Sequence, residues 1–180
     1  MARVKGADII GLRKVFAERG CQIEDEFKAK LNPEQQEMYT RLLPSMWVPV
    51  EDWLGLLTVA TKTLFPNERQ PWVSLGRSLA EKSYGSVYRV FLRVPTVKVV
   101  ISRAAAIWNT YYDTGQVRAT STGPKLIELV VEDFPELPFE FREAARGHVL
   151  VLLELTGAQP VAVRPDYANP SSWRWEIEWR

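Results

Sequence analysis

The sequence holds one cysteine, Cys21, and one histidine, His148, among its 180 residues. A lone cysteine excludes an intrachain disulfide and a cysteine-rich zinc site, and a lone imidazole excludes a multi-histidine metal centre. Charge of one sign is also missing: the formal net charge is +1, and acidic and basic residues are interleaved without a basic stripe. Nucleic-acid binding draws much of its affinity from several phosphate contacts made by such a stripe, so no nucleic-acid partner is expected. Long apolar runs are lacking as well. The longest strongly apolar run, Val149 to Leu153, is far below the ~20 residues that span a bilayer. The opening Met1 to Gly6 leads into a helix carrying Arg13, Lys14, Glu18 and Arg19, which is no signal peptide. A cytoplasmic location without a membrane span is therefore expected.

What is present is a globular balance of 46% apolar and 25% charged residues. A chain of this length buries one core well, whereas two independent cores would each be marginal. One domain over 1–180 is expected, mainly helical over 1–115 and sheet-forming over 116–180.

The helical part has legible punctuation. Ile9, Ile10, Leu12, Val15 and Phe16 recur at helical spacing from Ala7 to Arg19, and Gly20 stops them. Asn32, Pro33 and Gln35 supply an N-cap, a first-turn proline and the third position of a capping box for a helix reaching about Leu43. Trp53, Leu56, Leu57, Ala60 and Leu64 align from Glu51, and Pro66 closes that helix. A longer helix is expected from about Trp72 to Arg93, with Gly76, Ala80, Tyr84, Val87 and Phe91 on one face, where the small residues would admit a second helix closely. Another begins at Pro95, aligns Val97, Ile101, Ala104, Trp108 and Tyr112, and ends at Gly115.

The pattern then changes. Gln116 to Thr122 and Lys125 to Glu132 are rich in β-branched residues and meet at Gly123-Pro124, which predicts a hairpin. Phe139 to Thr156 predicts a last helix. Pro160 to Arg164 and Ser172 to Trp179 predict two more strands. The expected fold is α+β, with a helical first two-thirds followed by a small antiparallel ββαββ sheet.

Candidate chemistry is sparse. His148 shares a helical face with Phe141, Ala145 and Leu152; imidazole suits a haem ligand or general base, but the simpler reading is a partly buried histidine hydrogen-bonded near the core. No G-x-S-x-G elbow is present and nothing places Cys21 beside His148. The carboxylates of Glu24-Asp25-Glu26, Glu51-Asp52 and Glu132-Asp133 read as helix-start and loop charges, and Gly123-Pro124-Lys125 lacks the rest of a phosphate loop. No enzyme, metal or cofactor is expected.

The aromatic residues are the most informative set. Trp173, Trp175, Ile177 and Trp179 alternate with Arg174, Glu176, Glu178 and Arg180, giving one aromatic and one charged face. The aromatic face either packs on the helices or walls an apolar pocket or dimer contact. Tyr84, Tyr88, Phe91, Trp108 and Tyr112, with Trp175 from the strand, form the candidate ligand-binding set, and Tyr111 lies beside them.

Four segments carry a resemblance: Leu43 to Trp53, Leu75-Gly76-Arg77, Ala106 to Gly115, and Trp175 to Trp179. Together they resemble a family of myxobacterial proteins of about this size. That family, and the order of helices before a small sheet, is similar to the group holding haem-NO-binding domains, vinyl-reductase-type sensor domains and Golgi transport-particle (TRAPP-type) subunits. The resemblance implies an apolar pocket between helices and sheet. The haem-binding branch uses a histidine ahead of the sheet and a Tyr-x-Ser-x-Arg motif, whereas here the one histidine follows the first hairpin and that motif is missing. No functional residue carries over. The expected function is a non-catalytic regulatory or sensory module binding a small apolar or lipid-like ligand; the alternative is a protein-interaction module, homodimeric, whose core is filled by its own side chains.

Overall fold

A computed structural model describes residues 1–91, 96–134, 138–166, 168 and 173–180, with side chains described throughout except at 84–91 and 160–161. Six helices come first: α1 (Ala7–Arg19), α2 (Cys21–Ala29), α3 (Pro33–Arg41), α4 (Val50–Leu64), α5 (Pro71–Phe91) and α6 (Val97–Tyr111). Two three-residue strands, β1 (Arg3–Lys5) and β2 (Trp47–Pro49), pair antiparallel among them. Then follow β3 (Gln116–Gly123), β4 (Leu126–Glu132), α7 (Phe139–Leu155), β5 (Pro160–Asp166) and β6 (Trp173–Trp179). The second sheet is antiparallel with order β3-β4-β6-β5, so the ββαββ expectation holds.

The expected start signals do their work. The Asn32 side chain accepts from the Gln35 amide at 2.8 Å while the Gln35 side chain accepts from the Asn32 amide at 3.1 Å, closing the capping box. The α6 helix starts two residues later than the proline suggests, because the Thr96 hydroxyl caps it by accepting from the Val99 amide. Gly20, at φ 102°, ends α1 but also opens α2, a helix that the glycine alone does not announce.

Helices α5 and α7 pack backbone to backbone through the small residues. A Cβ on Gly76 would lie 2.0 Å from the Ala144 carbonyl oxygen, and one on Gly147 would lie 2.4 Å from that of Val73. Only glycine permits this approach. At the other end of the molecule, the Arg3 amide and guanidinium donate to the Asp113 carboxylate at 2.7 and 2.6 Å, and Val4 bridges to Tyr112. The N-terminal strand is thereby fastened to the end of α6.

The sheet has the two faces its alternation requires. One carries ion pairs, Arg118 with Glu132, Arg164 with Glu176 and Glu178, and Arg174 with Glu128. Such exposed pairs contribute little stability. The other faces the helices, and there Trp173, Trp175 and Ile177 are buried.

Candidate functional site

The inward face of the sheet is filled at one end and hollow at the other. At the filled end Trp173 meets Phe134 edge-on at 5.1 Å, Phe141 at 5.5 Å and Trp175 at 6.0 Å between ring centroids. Trp108 joins this cluster, stacked on Tyr112 at 4.2 Å and edge-on to Phe134 at 5.1 Å, with its indole N–H donating to the Thr114 carbonyl at 2.7 Å. Gly115, at φ 89°, lets the chain turn beneath that indole, since a Cβ there would stand 2.9 Å from Trp108 Nε1.

At the hollow end lies a cavity of about 150 Å³. Its floor is the sheet, where residues two apart on each strand point the same way. Val117 stands opposite Val131 and Ala119 opposite Leu129; Leu129 in turn stands opposite Trp175, and Ile127 opposite Ile177. Its walls are α6, through Ile101, Ala104 and Trp108, and α7, through Ala145, His148 and Val149. Leu79 and Ser83 of α5 and Trp53 and Leu57 of α4 complete it. The lining is overwhelmingly apolar.

The exceptions are gathered from four helices. Asp8, in the first turn of α1, is 5% exposed and lines the cavity. Its carboxyl makes no hydrogen bond among the described residues, and burial pushes its pKa up to about 7. Tyr111 and Tyr112 lie near it; burial and then the Asp8 charge raise both phenols above their ordinary range. The Ser83 hydroxyl is close to the Tyr111 phenol yet closes no hydrogen bond of normal geometry. His148 contacts the Ala144 carbonyl through Nδ1 at 3.0 Å, and burial lowers its pKa against a smaller opposing effect of that contact. The expectation of a histidine hydrogen-bonded near the core holds, with the addition that the ring borders a cavity.

Of the sequence-derived candidate set, Trp108, Tyr112 and Trp175 line the cavity together. Tyr84, Tyr88 and Phe91 lie on α5 with side chains outside the described residues. Asp8 and Ser83 were missed. A signal for Asp8 existed, because it precedes Gly11, Leu12 and Val15 by three, four and seven positions, which places an acid on the buried stripe of its own helix. Among the described residues no group of three His, Cys, Asp or Glu side chains could hold a metal ion, and no helix is long and apolar enough to cross a membrane. Cys21 is exposed.

The family model described as "Protein of unknown function (DUF2378)" matches residues 15–180, and the chain belongs to that family. Asp8 lies ahead of the matched region. No curated protein matches the sequence. Solved structures similar in fold include an H-NOX protein from S. oneidensis in the Fe(II) ligation state, at TM-score 0.72 and 14% identity over 98% of this chain and 96% of that one. An Fe(II) unliganded H-NOX protein from K. algicida is similar at TM-score 0.70 and 9% identity over 98% and 96%. An oxygen-binding H-NOX domain related to soluble guanylate cyclases matches at TM-score 0.67 and 11% identity over 97% and 92%. These likenesses establish an H-NOX-like α+β fold.

That fold family implies haem, and the described residues do not fit it. Haem is a large macrocycle with two propionates that call for cationic partners, and no lysine or arginine is among the described lining residues. The buried carboxyl of Asp8 stands there instead. A volume of about 150 Å³ also lies below the ~300–1,000 Å³ typical of pockets for drug-sized ligands.

Proposed function

For this member of the DUF2378 family we infer a non-catalytic regulatory or sensory module that binds one small apolar ligand between α6, α7 and the sheet. The observation that carries this reading is the cavity of about 150 Å³ walled by apolar side chains from four helices and three strands. Close packing leaves few voids larger than a water molecule in a core, so a hollow of this size is a departure that a structural role does not require. An apolar cavity of about 150 Å³ stays dry and is large enough for benzene. The ligand is therefore of single-ring or short branched size, which narrows the lipid-like alternative: an extended acyl chain exceeds the space.

The H-NOX-like fold supports a binding role through its architecture, since helices and sheet meet over the same inward face. Native mass spectrometry of freshly purified protein tests it. A small molecule retained in substoichiometric or full amount is the expected result, with the retained mass lost when Trp108→Ala opens the wall. A mass equal to the bare chain, together with no saturable binding of small aromatics, would overturn it.

A further inference from the structure

Among the described lining residues of this largely apolar cavity, two polar side chains, Asp8 and Ser83, close no hydrogen bond of normal geometry. Asp8 is 5% exposed, lines the cavity and makes no side-chain hydrogen bond among the described residues. Ser83 Oγ is buried in the same lining without a partner. The Tyr111 phenol stands beside both. A buried carboxyl without a partner is costly, and no lysine or arginine among the described lining residues relieves it.

We propose that the cavity takes a small primary amine with an apolar ring or short branched body, whose ammonium group pairs with Asp8 and donates to Ser83. This rests on the ligand-binding reading above and names the chemistry of its head group. An ammonium supplies a charge for the carboxyl and three donors for the acceptors around it. An anionic ligand would instead face Asp8 with nothing to neutralise either charge, and a purely apolar one would leave Asp8 and Ser83 as they are.

The test is an NMR shift titration of the whole chain with benzylamine, benzyl alcohol and toluene at pH 8, where the amine is largely protonated. Charge-assisted hydrogen bonds are worth enough for benzylamine to bind at least about tenfold more tightly than toluene. In Asp8→Asn that preference disappears while toluene still binds. Among the described residues the titratable groups lining the cavity are Asp8 from α1, Tyr111 and Tyr112 at the end of α6, and His148 from α7. With Asp8 titrating near 7, benzylamine affinity in the unsubstituted protein weakens up to about tenfold per unit below that pH, while toluene affinity does not weaken. This second readout carries the test if Asp8→Asn fails to fold. Equal affinities for benzylamine and toluene, or a preference that survives both Asp8→Asn and acidification, would overturn the amine assignment and leave the cavity reading standing. No saturable binding of any of the three would overturn both.

Discussion

Gly76 lies against Ala144 so closely that a Cβ on the glycine would stand 2.0 Å from the Ala144 carbonyl oxygen. The contact joins α5 to α7, the helices that carry Ser83 and His148 into the cavity wall. Gly76→Ala must force the two backbones apart, because the obstacle is a carbonyl and no flexible side chain can yield. Overpacking of this kind costs about 1–3 kcal/mol and at a backbone contact should reach the upper end. Urea unfolding measures it, and a loss below 0.5 kcal/mol would show that the helices are not in contact there.

Ala104 faces the cavity from α6. Replacing it by leucine fills part of the hollow with the protein's own side chain and keeps good helix propensity. Ala104→Leu should stabilise the ligand-free protein by about 0.5–2 kcal/mol, in the range of cavity-filling substitutions. A lower melting temperature in the variant would mean the space is already occupied by side chains.

Trp108 is both a wall of the cavity and the link from α6 to the aromatic cluster. Trp108→Ala removes the stack on Tyr112, the edge contact with Phe134 and the hydrogen bond to the Thr114 carbonyl. A loss of about 3 kcal/mol is expected for a truncated core aromatic, read from chemical denaturation. Trp108→Phe should recover a large part of it.

The buried carboxyl of Asp8 makes stability depend on pH in an unusual direction. Its folded pKa of about 7 lies above the ordinary value of 3.8, so the folded state holds the proton more tightly. The contribution is full below about 4 and is lost as pH rises from there to about 7. His148 acts oppositely: burial lowers its pKa, so its effect is a loss of stability as pH falls below the ordinary histidine value of 6.5. Comparison with Asp8→Asn cancels the histidine. The variant should gain on the unsubstituted protein between pH 5 and pH 8, by up to about 2.5 kcal/mol, because only the roughly two units between pH 5 and the folded pKa of about 7 fall in that window. Urea unfolding at those two pH values reads the gain, and a constant difference would contradict the burial of Asp8.

Much of the fold was legible because its signals are local. Asn32 and Gln35 announce α3 within four residues, the Gly123-Pro124 step marks the hairpin, and the Trp-x-Trp-x-Ile-x-Trp alternation shows which face of β6 turns inward. The strands β1 and β2 were not legible, since each is three residues long and exists only through the pairing of Arg3 with Pro49 across the helices between them. The site was half legible. Trp108, Tyr112 and Trp175 were found as aromatics on inward faces, but that pattern does not distinguish Trp173, which packs against four rings, from Trp175, which borders the hollow. Asp8 escaped because an acid in a first turn ordinarily complements the helix dipole.

The central claim is that the space between α6, α7 and the sheet receives a ligand. Titration of the protein with toluene, followed by intrinsic tryptophan fluorescence in the unsubstituted chain and in Ala104→Leu, tests it most directly. Saturable one-site binding that the leucine abolishes is the expected result. Absence of saturable binding in the unsubstituted chain, or binding that Ala104→Leu leaves unchanged, would contradict the claim.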